Sequence, residues 1–157
     1  MVAKFTTRTE RILREAGWYP GRLIDASPIV QSLSSAGFQV FPHAEEFLSE
    51  FGNLEINSDP YPIYITYDDP ARYESAFKAL KDHRLEEIAK QSLCLIGRLS
   101  SHGGSWTLYV GINGKVYQYF ASYFDCIGEN YIEALQYLIS QLKPPSLERL
   151  YPSDDSI

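Results

Sequence analysis

The three histidines of the chain, His43, His83 and His102, are the first residues to consider for metal binding or acid–base chemistry. No two of them are four residues apart, and no HExxH motif or cluster of cysteine and histidine is present. A zinc site needs three or four protein ligands, which these positions supply only from distant parts of the chain. We therefore expect no metal and no cofactor, and we expect the histidines to lie in solvated loops or at helix ends.

Serine and histidine also occur together in SSHGGS at residues 100–105, and the two residue types cooperate in hydrolases. A serine nucleophile of that kind lies on a strained turn between a strand and a helix, with a base supplied by a distant residue. This stretch instead separates two predicted strands, so a hairpin connection is the simpler interpretation. A small hydrolase that uses Ser101, His102 and Ser105 stays open as an alternative.

Phosphate binding and carboxylate catalysis are less well supported. A phosphate-binding loop follows a strand and begins a helix, whereas GINGK at residues 111–115 lies between two predicted strands. Asp68 and Asp69 precede Pro70 and a predicted helix, where aspartate commonly accepts hydrogen bonds from the first N–H groups. No carboxylate has a spacing that selects it as a general acid or base, so we predict that the protein is not an enzyme.

The composition indicates a folded protein with a substantial core. Of 157 residues, 45 % are apolar and 14 % are aromatic, which suits one domain. The formal charge of −6 argues against direct binding of nucleic acid, which requires lysine and arginine to neutralise phosphates. Cys94 and Cys126 lie in apolar stretches without a CxxC motif, so we expect reduced core thiols in a cytoplasmic protein. Neither a signal-peptide pattern nor an apolar run near the ~20 residues of a membrane span is present.

The charges are distributed unevenly along the chain. Residues 23–71 contain eight acidic residues and no lysine or arginine, and three tyrosines lie in the same segment. Acidic charge steers a basic partner, and aromatic side chains supply much of the binding energy at interfaces. An ordinary solvated acidic surface is the alternative interpretation. The residues predicted to face a protein partner are Asp59, Tyr61, Tyr64, Tyr67, Asp68 and Asp69.

Apolar periodicity and the positions of glycine and proline divide the chain into helices and strands. Helices at both ends of an antiparallel sheet favour an α+β fold over a parallel βαβ series. The predicted helices are residues 5–16, 27–36, 43–51, 71–80, 85–92 and 129–142, and the predicted strands are residues 61–67, 93–97, 106–112 and 115–121.

Asn113 and Gly114 connect the last two predicted strands. Both residue types tolerate the positive φ that a two-residue type I′ turn requires, so we predict that turn. Its register pairs Val110 with Tyr117 and places aromatic side chains on both faces of the sheet. We therefore expect both faces to be covered, either by helices or by helices on one side and a partner on the other.

The stretch EAGWYPGR at residues 15–22 concentrates two aromatic residues between two glycines. Gly17 can end the first helix in a left-handed conformation. We expect Trp18 to be buried against the sheet or the second helix. These two residues therefore predict a structural role for the stretch.

The second half of that stretch reads as a turn. Pro20 and Gly21 suit the two central positions of a type II turn, since proline fixes φ near the required value and glycine accepts a positive φ. The turn directs Arg22 toward a carboxylate, and Asp25 is the nearest candidate along the chain.

Six blocks of the sequence together resemble the third subgroup of the SUKH superfamily, over about residues 8–142. The AGWxPGR and FLxEFGxL patterns are the most distinctive. One departure is Asn53, where the family pattern leads us to expect a second glycine. The blocks are EAGWYPGR at 15–22, Leu33 with GF at 37–38, FLSEFGNLEI at 47–56, LIGRL at 95–99, NGKVY at 113–117 and GENYIEALQYL at 128–138. The structural family residues are Gly17, Trp18, Pro20, Gly21, Arg22, Phe47, Leu48, Phe51 and Gly52.

The resemblance implies an α+β fold with a central, mostly antiparallel sheet, helices packed at its N-terminal side and a C-terminal helix. It implies one SUKH-like domain over residues 1–157, with a core at about 5–142 and a C-terminal tail at 143–157. The tail contains three prolines and two adjacent aspartates, so we expect its end to fray. It also implies a bacterial immunity protein that binds a cognate polymorphic or contact-dependent toxin, often a nuclease or another nucleic-acid-modifying enzyme. Members of the family are not known as catalysts.

The wider superfamily also includes eukaryotic cell-wall and stress-signalling proteins, so a non-catalytic regulatory or scaffold domain is the alternative function. We expect no direct contact with nucleic acid or membrane. The sequence does not define the oligomeric state.

Overall fold

A computed structural model describes residues 5–65 and 70–152. The strands form one antiparallel sheet in which neighbours in sequence are neighbours in space, from β1 to β7. The predicted α+β class, with a central antiparallel sheet and a helix near the C-terminus, is confirmed. The helices are α1 (Thr7–Glu15), α2 (Ser27–Ala36), α3 (Pro42–Phe51), α4 (Pro70–Asp82), α5 (Leu85–Ala89) and α6 (Tyr131–Ser140). The strands are β1 (Glu55–Ile56), β2 (Ile63–Ile65), β3 (Leu93–Ser101), β4 (Gly104–Gly111), β5 (Val116–Phe120), β6 (Tyr123–Gly128) and β7 (Glu148–Tyr151).

Helices cover parts of both faces of the sheet. On one face, Phe47 of α3 and Leu135 of α6 surround a small cavity together with Ile65, Ile96 and Leu108 of the strands. On the other face, α4 packs against the sheet through buried side chains. The hydroxyl of Tyr109 in β4 donates a hydrogen bond of 2.8 Å to the carbonyl oxygen of Ala76, and neither residue is exposed. Helices therefore cover the aromatic sheet from both sides, as the first of the two expected arrangements requires.

The hairpin between β4 and β5 differs from the predicted one by one residue. Val110 pairs with Val116 instead of Tyr117. The N–H of Gly114 donates to the carbonyl oxygen of Gly111 at 2.9 Å, and Gly114, unlike Asn113, has a positive φ of 94°. This is a three-residue loop, a type I turn followed by a left-handed glycine, in place of the type I′ turn. Successive side chains of a strand point to opposite faces of the sheet. The one-residue shift therefore changes which side chains of β4 and β5 lie opposite each other on each face.

The sheet is larger than the apolar pattern predicts, because β1, β6 and β7 are additional strands. The strands β3 and β4 also extend into SSHGGS. Ser101 of β3 pairs with Gly104 of β4, so His102 and Gly103 form a tight turn between the two strands. The strand β7 lies within the stretch predicted to be a tail, residues 143–157. Residues 153–157, whose fraying the sequence predicts, lie outside the described part of the chain.

An ion pair between an exposed arginine and a buried carboxylate joins the last strand to the sheet. Asp125 of β6 is 5 % exposed, and its carboxylate accepts hydrogen bonds from Arg149 Nε at 2.7 Å and Arg149 Nη2 at 3.3 Å. The amide of Gln118 on β5 donates to the same carboxylate at 2.9 Å. The arginine therefore connects the edge strand β7 to the interior, and the amide supplies a further hydrogen bond to the buried charge.

Burial of three ionisable groups predicts a loss of stability in alkali. Burial raises the pKa of the Cys94 thiol to about 12 and that of Tyr117 to about 12, and it also raises the pKa of Tyr109. These groups ionise in the unfolded chain near their ordinary values of 9.0 and 10.0, before they ionise in the folded protein. The free energy of unfolding is therefore expected to be constant up to pH 8 and to fall between about pH 9 and 12.

Urea unfolding between pH 7 and 11 measures this effect. The variant Tyr109→Phe, which cannot ionise at that position, is expected to lose less stability over the alkaline range than the wild type. A free energy of unfolding that stays constant to pH 11 would contradict the assignment.

Candidate partner-binding surface

The two most distinctive sequence blocks contact each other at the C-terminal end of α3. Trp18 is 7 % exposed, and its ring stacks parallel to that of Phe51 with the centroids 6.2 Å apart. Its indole Nε1 donates to Oε2 of Glu50 at 2.9 Å. The tryptophan is therefore buried as expected, but its stacking partner belongs to α3 and not to the sheet or to α2.

The turn before Arg22 has the predicted geometry. Gly21 has a φ of +82°, and the N–H of Arg22 donates to the carbonyl oxygen of Tyr19 at 3.0 Å, as in a type II turn centred on Pro20 and Gly21. Gly17, with a φ of +109°, ends α1 as predicted. Both glycines of the stretch therefore have the positive φ predicted for them.

Arg22 binds the end of α3 and not the carboxylate of Asp25, so that prediction is wrong. Its Nη1 donates to the carbonyl oxygen of Glu50 at 2.5 Å, and its Nη2 donates to that of Gly52 at 3.0 Å. The last carbonyls of a helix have no partner within the helix, which makes them a better target for a partly buried guanidinium. Asp25 instead accepts the N–H of Ser27 at 3.0 Å. Hydrogen bonds from the side chain and from the backbone N–H of Ser27 lower the pKa of the aspartate.

Gly52 allows the close packing at this helix end. A Cβ atom there would lie 2.4 Å from the carbonyl oxygen of Leu48, which is too close for any side chain. Asn53, which replaces the expected second glycine, has a φ of +65° that asparagine tolerates. Phe47, Leu48 and Phe51 are buried. The two blocks therefore build the junction of α1 and α3, which supports a structural role.

Two of the predicted partner-facing residues lie in the connection between β1 and β2. Asp59 is exposed, and its carbonyl oxygen accepts a hydrogen bond of 3.3 Å from the side chain of Gln141. Tyr61 is half-buried, and its ring lies edge-on to His102 with the centroids 5.4 Å apart. An acidic and an aromatic side chain are thus available in the β1–β2 connection, and the aromatic one lies near the tip of the β3–β4 hairpin.

Tyr64 lies in different surroundings, on β2. The guanidinium of Arg98 lies over its ring, with Cζ 4.1 Å from the centroid. Both residues line a cleft of about 280 Å³ between α4 and the sheet, together with Arg72 and Tyr119. This part of the predicted surface is therefore lined by arginines as well as tyrosines. The other three predicted residues, Tyr67, Asp68 and Asp69, lie outside the described residues.

The sequence analysis missed a groove beside α3. It has a volume of about 400 Å³ and includes Leu23, Pro42, Glu45 and Glu46 in its lining. Leu23 is 79 % exposed, the largest exposure among the large hydrophobic residues that the structure describes. A lone leucine between Arg22 and an isoleucine gives no sequence signal of exposure, but the absence of basic residues after it marks the segment as acidic.

The residue types that suggested catalysis have ordinary surroundings. The hydroxyl of Ser101 donates to the carbonyl oxygen of Gly104 at 2.8 Å, within the turn. His43, His83 and His102 are exposed, as predicted. Across residues 5–65 and 70–152, no group of three histidine, cysteine, aspartate or glutamate side chains is placed to hold a metal ion. Cys94 and Cys126 are buried free thiols.

Comparison with known families decides the relationship. A family model described as SUKH-3 immunity protein matches residues 5–141, which include both blocks at the α1–α3 junction. The chain belongs to the SUKH-3 immunity protein family. The resemblance to the third SUKH subgroup is thus confirmed, and the family implies a role in immunity against a toxin.

As a SUKH-3 immunity protein, the chain belongs to a class that is in general non-catalytic. No curated protein and no solved structure gives a significant match to it. None of the helices in the described ranges has the length and apolar character needed to cross a membrane.

Proposed function

We propose that this chain neutralises a cognate bacterial toxin by binding it in the cytoplasm of the producing cell. The family match supports this proposal most directly, because it covers residues 5–141 and implies toxin immunity. Polymorphic or contact-dependent toxin systems are the proposed setting. Binding, and not catalysis, is the proposed mode of action, and residues 1–157 are proposed to act as one domain.

The proposed toxin is a basic enzyme that acts on nucleic acid. Residues 23–71 contain no lysine or arginine. A surface of that charge attracts a protein that binds phosphates, since the phosphate-binding site of such a protein is rich in lysine and arginine. The proposed mechanism is occlusion, in which the immunity protein covers the substrate groove so that nucleic acid cannot enter.

The proposed contact residues are those predicted from the sequence. Asp59 and Tyr61 offer a carboxylate and an aromatic ring at the β1–β2 connection, and Tyr64 offers a second ring at the arginine-lined cleft. Tyr67, Asp68 and Asp69 remain proposed contacts without a structural description. Aromatic rings next to charged groups are typical of interface positions that contribute strongly to affinity.

Co-expression tests the proposed function. The chain is expressed with the toxin encoded next to its gene, and growth and co-purification of the two proteins are measured. Rescue of growth together with a stable complex is expected. A scaffold domain, the alternative, gives neither result, and an isolated gene without a neighbouring toxin gene favours that alternative.

Electrostatic attraction predicts that added salt slows binding. The association rate constant of the chain with its toxin is expected to fall about tenfold or more between 20 and 150 mM salt, because screening removes the steering. Stopped-flow mixing measures this rate constant, and the dissociation rate constant serves as the internal control because it should change much less. Association rates that are independent of salt would contradict the occlusion of a basic groove by acidic charge.

A further inference from the structure

Leu23 is an apolar side chain held in solvent between two anchored neighbours. It is 79 % exposed, whereas the guanidinium of Arg22 is bound to α3 and the N–H of Ile24 donates to the carbonyl oxygen of Ser49 at 2.8 Å. The backbone at Leu23 is therefore ordered before any partner arrives. Burial of this side chain in a complex would therefore cost side-chain entropy but little backbone entropy, which favours its use as a contact.

The outer face of α3 adds negative charge next to this leucine. Glu45 and Glu46 are exposed, and their carboxylates form no ion pair with any residue that the structure describes. Glu50, on the same groove, already accepts hydrogen bonds from Trp18 and from Tyr131. The two exposed carboxylates are therefore the ones that can pair with a cation brought by a partner.

We propose that Leu23 and the outer face of α3 form a second docking surface for the cognate toxin. The segment of toxin that binds there presents lysine or arginine side chains around an apolar recess, with the recess receiving Leu23 and the cations facing Glu45 and Glu46. The inference rests on the proposed function, and it adds a surface separate from that of Asp59 and Tyr61. Charge complementarity identifies the occupant, because residues 23–71 supply acids without a single base.

The composition of this surface matches that of effective interfaces. An apolar side chain that becomes fully buried provides affinity, and surrounding charges accelerate the encounter and select the partner. Arg22 also lines the groove, but its guanidinium is directed to the carbonyl oxygens of Glu50 and Gly52. The guanidinium therefore binds the end of α3, and the carboxylates of Glu45 and Glu46 stay exposed.

Affinity measurements with matched variants test the surface. The variant Leu23→Asp is compared with Leu142→Asp, which changes another exposed side chain, 46 % exposed, beyond the end of α6. Each variant is titrated by calorimetry with the purified toxin encoded next to the gene, and thermal unfolding confirms that both fold like the wild type. We expect Leu23→Asp to weaken binding about 30-fold or more and Leu142→Asp to leave it unchanged.

Charge reversal tests the acidic part of the surface separately. The double variant Glu45→Lys with Glu46→Lys is compared with Glu74→Lys with Glu129→Lys, which changes the net charge equally but at exposed positions elsewhere. Weaker binding by about tenfold or more in the first pair alone supports the surface. Equal effects of the two pairs would show that net charge and not this surface is responsible.

The outcomes separate this inference from the proposed function. If the wild type binds the toxin and Leu23→Asp binds it with the same affinity, the docking surface is overturned and the immunity function stands. Absence of binding by the wild type overturns the immunity function and the docking surface together. Equal losses in Leu23→Asp and Leu142→Asp also overturn the assignment of the surface.

Discussion

Replacement of Trp18 by alanine is expected to lower the free energy of unfolding by about 3–5 kcal/mol. The ring is 7 % exposed and contacts Phe51 by parallel stacking and Phe5 edge-on, with centroids 6.2 and 5.5 Å apart. Its removal leaves a cavity between the chain after α1 and the end of α3, and it takes away the hydrogen bond to Glu50. Urea unfolding at neutral pH measures the loss.

The neighbouring aromatic residue provides the control. Tyr19 is 54 % exposed, so Tyr19→Ala is expected to change the free energy of unfolding by less than about 1 kcal/mol. If Trp18→Ala abolished binding of the toxin while the free energy of unfolding stayed at the wild-type value, the structural role of Trp18 would be wrong. In that case the EAGWYPGR stretch would be part of the binding surface.

Replacement of Arg149 by alanine is expected to cost about 2–3 kcal/mol of stability. The change leaves the carboxylate of Asp125, 5 % exposed, without its cation and with the amide of Gln118 as a remaining donor. A buried charge that loses its partner is costly, but the side chain of Arg149 is 43 % exposed and solvent moderates the effect. Urea unfolding of the variant measures the cost.

The order of two single variants distinguishes this explanation from a simple loss of contact. Asp125→Asn removes the buried charge and leaves Arg149, which can turn to solvent, so it is expected to cost less than Arg149→Ala. The double variant is expected to be more stable than Arg149→Ala alone. A larger cost for Asp125→Asn than for Arg149→Ala would contradict the account of this ion pair.

The helices were predictable because local signals mark where they end. Gly17 and Gly37 have φ values of +109° and +113° at the ends of α1 and α2, and both lie where the sequence placed a helix stop. Such signals depend on a few adjacent residues. The turn at Pro20 and Gly21 was predictable for the same reason, because proline and glycine restrict the backbone wherever they occur.

The strands were less predictable because their stability depends on distant partners. Asp125 interrupts the apolar stretch of β6, and its cation, Arg149, lies 24 residues further along the chain. Without that partner in view, a charged residue in a strand argues against burial. The hairpin register failed for a different reason: Asn113 and Gly114 suit two kinds of turn, and the packing of the strands selects one.

At the candidate surfaces too, features set by adjacent residues were predictable and contacts between distant residues were not. The sequence identified the acidic segment and the structural blocks, but it directed Arg22 to the wrong group because the carbonyls at the end of α3 are 28 and 30 residues away. Exposure of Leu23 depends on the way the chain crosses α3. The acidic sequence pattern therefore led to the proposal of a basic partner, whereas the position of the groove required the fold.

Inhibition of the purified toxin tests the central claim most directly. The toxin encoded next to the gene is titrated with this SUKH-3 immunity protein while its activity on nucleic acid, its proposed substrate, is followed at neutral pH. We predict that the activity falls to zero at a defined molar ratio, and that the toxin regains activity when high salt dissociates the complex. Full toxin activity in the presence of a large excess of the folded immunity protein would contradict neutralisation by direct binding.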